Sequence, residues 1–408
     1  MTITPRIPGR RLLHSPGPTP LPDEVLAALS RQPMDHGDPR LDQHIASVEA
    51  GLRGLLQTES AEVFLYAANG HGAWEAVVVN LLPPANADGS GPAVLIPGTG
   101  HFSESWAVLT EGLGRRVVRT PWREGHPVDP ADVAAALRAD EAHDIQAVLV
   151  VHTDTASSVT SDMAAIRAAM DATGHPALFV VDMVASLGVA AMPMDALRAN
   201  VVLAASQKAL MAPPGIAIVA VDAAAYALAE RNLAPRFYWD WRLRRSEISY
   251  RKFCGTGPQN LVFALDAALG LIAQEGVAQV HARHRLLGGV VRAAVGGWRL
   301  GGFQNGGLLD FFAVEGARSD SVTTISVAPQ VDVEAMRTVA RERFQVAIAG
   351  GLGPLTGRAF RIGHLGDQNP VQILGALAGV QAALVVQGIA HGDGMGPAIA
   401  WLARGDAV

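Results

Sequence analysis

Apolar residues in the first half of the chain come in short unbroken runs, not in alternation with polar ones. The runs are "EVFLYAA" (62–68), "AVLIPG" (93–98), "RRVVRT" (115–120), "AVLVVH" (147–152), "ALFVVD" (177–182), "NVVLAAS" (200–206) and "GIAIVAV" (215–221). A strand that is apolar on consecutive positions has both faces covered, the condition inside a parallel sheet packed between helices. Helical patterns fill the gaps: "GAWEAVVVNLL" (72–82), "SESWAVLTEGL" (103–113), "DPADVAAALRA" (129–139) and "SDMAAIRAAMDA" (161–172). Strand and helix in alternation predict a mostly parallel α/β sheet. Only "QKALMAPP" separates the last two runs, too short for a helical crossover, so the seventh strand is expected to run antiparallel to the sixth.

After residue 276 the pattern changes. A long helical segment (277–295) leads to strand-like "LLDFFAV" (308–314) and "VTTISVA" (322–328). A helix (332–344), "VAIAGG", "FRIGHLG" and an Ala-rich helix (370–388) follow, with a frayed acidic end. The expected division is a large domain over 21–276 and a smaller C-terminal α+β domain over 277–408.

Composition narrows the function classes. The 408 residues are 49% hydrophobic and 17% charged, which suits a compact globular chain. A net charge of -6 without a basic run offers nothing to nucleic acid or an anionic membrane. A single cysteine, Cys254, excludes an internal disulfide and a Cys-rich metal site. His14, His36, His101 and His364 are scattered without metal-ligand spacing, so no metal is expected. The N-terminus lacks a signal peptide's apolar core, and no run of about 18 apolar residues is present, so a soluble, cytoplasmic protein is expected.

In open α/β sheets, ligands bind at the carboxyl ends of the strands. There the sequence places Asp182, Asp154 and Thr155, the triplet Ser206, Gln207 and Lys208, and the turn "NGHG" before a helix. Lys208 ends a buried run and is followed by the stiff "APPG". Lysine, carboxylate, hydroxyls and a helix N-terminus at one sheet edge meet the needs of pyridoxal phosphate. The lysine can form a Schiff base with its aldehyde. A carboxylate can keep its pyridine nitrogen protonated, and a helix N-terminus favours its phosphate.

The stretch "VVDMVASLG…ASQKALMAPPG", with Asp182 and Lys208 26 positions apart, closely resembles the class V aminotransferases of pyridoxal phosphate fold type I. Within these it is most similar to the alanine/serine–glyoxylate aminotransferase group. "SPGPTPLPDEVLAAL" (15–29), "NGHGAWEAVVVN" (69–80), "GHFSESW" (100–106), "HTDTASSVTSDMAAI" (152–166) and "GLGPLTGRAFRIGHLGD" (351–367) resemble further family motifs in the same order. The resemblance implies a large domain with a seven-stranded, mostly parallel sheet, a small C-terminal domain, and an N-terminal segment (1–20) reaching across the active site. It implies that Lys208 carries the cofactor and Asp182 faces the pyridine nitrogen. Phe102 would stack on the ring, Val184 would pack on the other face, and Thr155 would bond near the phenolic oxygen. Asn69, Gly70, His71 and Gln207 would hold the phosphate, and Thr256 would reach the partner's phosphate in a homodimer. Arg361 would clamp the α-carboxylate of small amino acid and 2-oxo acid substrates, a bidentate task that lysine cannot copy.

Three positions depart from the family pattern: Phe253 where tyrosine is common, Asp154 where glutamate is usual, and Gly37 where an arginine follows the histidine. The implied activity is transfer of an amino group from serine, alanine or aspartate to glyoxylate or a similar 2-oxo acid. The alternatives are a lyase or desulfurase of the same fold, or a non-catalytic relative. A desulfurase needs a reactive cysteine on a mobile loop, and Cys254 lies in the segment expected at the dimer interface. Trp74 is expected in the core, and Arg358 as a solvated neighbour of Arg361.

Overall fold

The computed structural model describes residues 8–404. The first seven residues of the segment expected to cross the active site, and the acidic C-terminal end, lie outside it. Among the described residues, fourteen strands are formed. They are β1 (Leu12–His14), β2 (Glu62–Ala67), β3 (Ala93–Ile96), β4 (Arg116–Arg119), β5 (Ile145–Val151), β6 (Thr153–Asp154) and β7 (Val159–Thr160). The rest are β8 (Leu178–Asp182), β9 (Val201–Ala205), β10 (Ile216–Val221), β11 (Leu309–Phe311), β12 (Val322–Val327), β13 (Val346–Gly350) and β14 (Ala359–Gly363).

The seven expected strands form one sheet in the order β2-β10-β9-β8-β5-β3-β4. Only β10 opposes the others, antiparallel to both β2 and β9, as the short connection requires. The unbroken apolar runs now have their reason. Val148, Val150 and Val181 point into one apolar core, while Leu149, Val151 and Val180 point into the core on the opposite face. Helices Gly70–Leu81, His101–Gly112, Pro130–Ala139 and Met163–Asp171 supply the crossovers. The two-stranded β6–β7 ladder extends from the end of β5.

A second, mixed sheet has the order β1-β13-β14-β12-β11. The α/β large domain and the smaller C-terminal mixed sheet match the architecture expected from the resemblance to pyridoxal phosphate fold type I. The chain turns by 87° at Gly276, between helix Gln259–Glu275 and helix Val277–Trp298. Among the described residues, no single helix is long and apolar enough to cross a membrane.

Two elements of the small domain differ from expectation. Strand β1 pairs in parallel with β13, so the N-terminal stretch belongs partly to the small sheet. Helix Met395–Arg404 follows the helix at Pro370–Val386, and it packs along Val277–Trp298. Glycines inside that long helix permit the approach. A Cβ at Gly289 would sit 2.3 Å from Trp401 Cε2, and one at Gly297 would sit 1.9 Å from the Asp393 carbonyl oxygen. Glycine in a helix interior costs roughly 0.5–1 kcal/mol relative to alanine, and here it is used for close docking.

Three buried histidines in and beside the small sheet make its stability sensitive to acid. His14 Nδ1 lies 3.1 Å from the Gly363 carbonyl, and His284 accepts from the Gly366 N–H at 3.1 Å. His364 bridges Thr323 Oγ1 at 3.0 Å and the Asp320 carbonyl at 2.9 Å. Burial pushes His14 from 6.5 down to about 4 and His284 to about 3, and it holds His364 well below the usual value. Folded values below the unfolded value mean that the unfolded chain takes up protons first on acidification. The stabilisation is therefore complete above pH 6.5 and is lost as pH falls toward 4. Melting temperature should drop across that window, and His14→Gln should flatten part of the drop. A melting temperature constant from pH 7 to pH 4.5 would contradict this.

Candidate active site

The carboxyl ends of β2, β5, β8 and β9 converge on a cavity of about 320 Å³. It is lined by Asn69, Gly70, His71, Phe102, Thr155, Asp182, Val184, Gln207 and Lys208, all singled out in the sequence. Gly17, Pro18 and Trp74 complete much of the wall.

Lys208 enters from the end of β9, and the following turn is fixed from several sides. Ser206 Oγ donates to the Pro213 carbonyl at 2.5 Å, and Ala212 N donates to the Ser206 carbonyl at 3.1 Å. The N-terminal segment lies directly on the lysine. Its ammonium donates to the Pro16 carbonyl, and Thr19 Oγ1 donates to the Lys208 carbonyl at 3.0 Å. Position 17 requires glycine, because φ is +111° and a Cβ would fall 2.5 Å from Lys208 Cδ. Burial, and then the nearby Arg361 cation, push the Lys208 amine from 10.5 down to about 7. An amine near neutrality can serve as nucleophile and as base. The chain's other lysine, Lys252, is 2.5 Å from Glu49 and lies outside the cavity lining.

Asp182 closes β8 and is almost fully buried. Its Oδ1 accepts from the Val184 N–H at 2.7 Å, and its Oδ2 accepts from the Trp74 indole N–H at 2.7 Å. Burial raises its carboxyl to about 6, while these two donors work in the opposite direction. Trp74 is in the core as expected, stacked on Trp106 at 5.5 Å. Its contact with Asp182 is not legible in the sequence, since no spacing rule shows which strand end a helix side chain will meet.

Asp154 serves the site as an anchor. It accepts from the N–H groups of Phe102 (2.8 Å), Ala156 (2.8 Å) and Ser157 (3.1 Å), tying the Phe102 turn to the end of β5. Gly100 comes close enough that a Cβ there would sit 2.9 Å from Asp154 Oδ2. That short distance suits the shorter carboxylate found where glutamate is usual.

Asn69 caps helix Gly70–Leu81, its Oδ1 accepting from the N–H groups of His71 at 3.1 Å and Gly72 at 3.3 Å. The Gly70 N–H and the Asn69 side-chain NH₂ stay outside that cap. Arg361, on β14, donates from Nε to the Gly350 carbonyl at 2.7 Å and from Nη1 to the Thr155 carbonyl at 2.9 Å. Its Nη2 has no partner among the described residues. Burial lowers the guanidinium to about 10, so it stays cationic at neutral pH.

Thr256 is not brought to this cavity. Its Oγ1 lies 3.5 Å from His36 Nε2 in a separate exposed region. Phe253 is buried in the core, and Cys254 is partly exposed and lies outside the cavity lining. Gly37 donates to Asp35 Oδ1 at 2.8 Å, just before the helix Pro39–Leu56. Arg358 is exposed, 3.4 Å from Glu124.

A family profile described as "Aminotransferase class-V" matches residues 11–353. The chain belongs to the class V aminotransferases. It is 35% identical over 400 residues to the serine–glyoxylate aminotransferase of Methylorubrum extorquens, covering 97% of this chain and 96% of the relative. It is 35% identical over 387 residues to the L-aspartate–glyoxylate aminotransferase of Paracoccus denitrificans, covering 94% of each. The crystal structure of ureidoglycine–glyoxylate aminotransferase from Bacillus subtilis shares the fold, with a TM-score of 0.86, 24% identity and coverage of 98% and 99%.

Class V aminotransferases use pyridoxal 5′-phosphate, and it is the cofactor of this enzyme. The residues present fit it. Gln207 Oε1 is buried with no hydrogen-bond partner among the described residues, although it lines the cavity. With that amide turned over, its NH₂ would be a donor available to a phosphate, and Asn69 and Gly70 line the same cavity. The remaining wall supplies a buried carboxylate, an aromatic ring and an amine poised near neutrality.

Proposed function

We propose that this class V aminotransferase moves the amino group of a small amino acid (serine, alanine or aspartate) to glyoxylate or a similar 2-oxo acid. The observation that carries the reading is the single guanidinium at the site. Arg361 lies outside the cavity lining, bonded to the carbonyl of the lining residue Thr155 and close enough to Lys208 for its charge to lower that amine; it offers its free Nη2 and part of Nη1 to one α-carboxylate. The names of the Methylorubrum and Paracoccus relatives agree with a small donor and with glyoxylate as acceptor.

Bound pyridoxal phosphate supplies an aldehyde for the amino group and a ring that accepts electrons from the substrate's Cα. Lys208 would hold the cofactor at rest, and its freed Nζ would carry a proton from the donor's Cα to the cofactor's aldehyde carbon; with the oxo acid bound, the same Nζ would carry a proton the opposite way, back to Cα. Asp182 would face the pyridine nitrogen, Phe102 and Val184 would pack on the ring, and Thr155 would stand by its phenolic oxygen. Asn69, Gly70, His71 and Gln207 would hold the phosphate.

The same reading makes the enzyme a homodimer in which Thr256 completes the partner's phosphate site. Thr256 lies away from its own cavity, and Leu233, Phe237 and Tyr250, at 82%, 76% and 52% exposed, lie in the segment leading to it. The large domain (21–276) and small domain (277–408) would close on the substrate between Lys208 and Arg361. Thr256→Ala should weaken cofactor retention without unfolding the chain. Unchanged cofactor affinity in that variant, or an active monomer on sizing, would count against the dimer.

A screen of half-reactions tests the substrates. Serine, alanine and aspartate are each mixed with the holoenzyme while the near-visible absorbance is followed, and glyoxylate or pyruvate is then added. Glycine should form from glyoxylate. Response only to long or dicarboxylic acceptors would overturn the assignment. Arg361→Lys should raise the apparent KM for donor and acceptor alike, because both present the same carboxylate. A lost charge-assisted pair is worth about 1.5–3 kcal/mol, or roughly 10- to 150-fold. A change for one substrate class alone would remove Arg361 as the shared clamp.

A further inference from the structure

Both carboxylate oxygens of Asp182 are held before any ligand arrives, and one of the two donors is a side chain outside the expected site. Trp74 sits one turn into helix Gly70–Leu81, 2% exposed, with its ring stacked on Trp106 at 5.5 Å and an 11° angle. Its Nε1 donates to Asp182 Oδ2 at 2.7 Å. The opposite oxygen takes the Val184 backbone N–H at 2.7 Å. We infer that Trp74 is a positioning residue that fixes the rotation of the Asp182 carboxylate toward the pyridine nitrogen of the cofactor.

The inference rests on the reading of Asp182 as the nitrogen's partner. A carboxylate held by Val184 alone could turn about its Cβ–Cγ bond, and that bond's torsion is broad and soft. The Trp74 N–H fixes that rotation, and the Trp106 stack fixes the indole that donates it. Each carboxylate oxygen keeps a lone pair for a pyridinium N–H, since an ionised carboxylate has about four acceptor sites. The two donors also favour the charged form of Asp182 against burial. The arrangement joins the two ends of the cofactor, because Trp74 lies on the helix whose first turn is assigned to the phosphate. The phosphate turn and the nitrogen's partner are thereby set in register by one side chain.

The experiment compares apoenzyme affinity for pyridoxal 5′-phosphate with affinity for its 1-deaza analogue, in which CH replaces the ring nitrogen. Wild type should bind the deaza analogue more weakly; equal affinity would mean that Asp182 does not face the nitrogen. Trp74→Phe keeps an aromatic ring against Trp106 and removes the N–H. It should lose on the order of 5- to 10-fold in affinity for the cofactor, about one net hydrogen bond. Affinity for the deaza analogue should change by less than about 2-fold, so that discrimination collapses. Trp74→Leu, which lacks both ring and N–H, provides a second chance to read discrimination if the phenylalanine variant does not fold. If wild type discriminates and a folded Trp74 variant discriminates equally well, or loses both ligands equally, Trp74 only fills the core and the inference falls.

Discussion

Lys208→Ala is expected to fold, to retain pyridoxal phosphate through its phosphate, and to lose turnover by about 10³-fold or more, the scale set by loss of a positioned proton-transfer group. The physical reason is that, in the proposed reading, the amine is both anchor and base. The lining offers only one lysine, so no other amine there can form the Schiff base, and the nearby cation Arg361 cannot deprotonate. The fold should tolerate the change, because the lysine is held by the Pro16 carbonyl and by packing rather than by a buried ion pair. Removing a buried amine whose charged form is disfavoured costs little stability. Small primary amines should restore part of the activity by acting as diffusible bases. Turnover within about 10-fold of wild type would place the proton transfer on another group.

Asp182→Asn should have the second largest effect. The two side chains match in size, yet asparagine has one acceptor oxygen where aspartate has two. Either the Val184 N–H or the Trp74 N–H is left facing an NH₂ group. In the proposed reading the ring nitrogen also loses its anionic partner. The expected result is a fall in kcat of about 10²- to 10³-fold, the range for removing one preorganised electrostatic partner. KM should move far less, because the Arg361 clamp is untouched. A rise in KM with unchanged kcat would show that Asp182 serves binding and not the chemical step.

How much of this was legible depended on the range of the signal. The unbroken runs around Val148, Val180 and Val202 gave the large sheet, because burial on both faces leaves a local mark. The antiparallel seventh strand followed from connection length alone. Strand β1 left no such mark: it has three residues and exists through pairing with β13, at the far end of the chain. Helix Met395–Arg404 begins within the loop-like "HGDGMGP" and depends on glycines in another helix, so its docking is a tertiary fact.

Within the site, residues at strand ends were readable, since topology brings those ends together. Nine of them line one cavity. The contacts that orient them were not readable. Trp74 meeting Asp182, Pro16 meeting Lys208, and Asp154 meeting the Phe102 turn all cross between elements far apart in sequence. Aspartate at position 154 read as a departure from pattern, and the closeness of Gly100 supplies its reason.

The most direct test of the account is where the cofactor becomes attached. Borohydride reduction of the holoenzyme, followed by peptide mass spectrometry, fixes the linkage permanently and locates it. The chain has only two lysines, Lys208 and Lys252, so the outcome is discrete. The account predicts one pyridoxyl phosphate adduct per chain, on Lys208, with Lys252 unmodified in its pair with Glu49. An adduct on Lys252, or no adduct on Lys208 in an active enzyme, would contradict it.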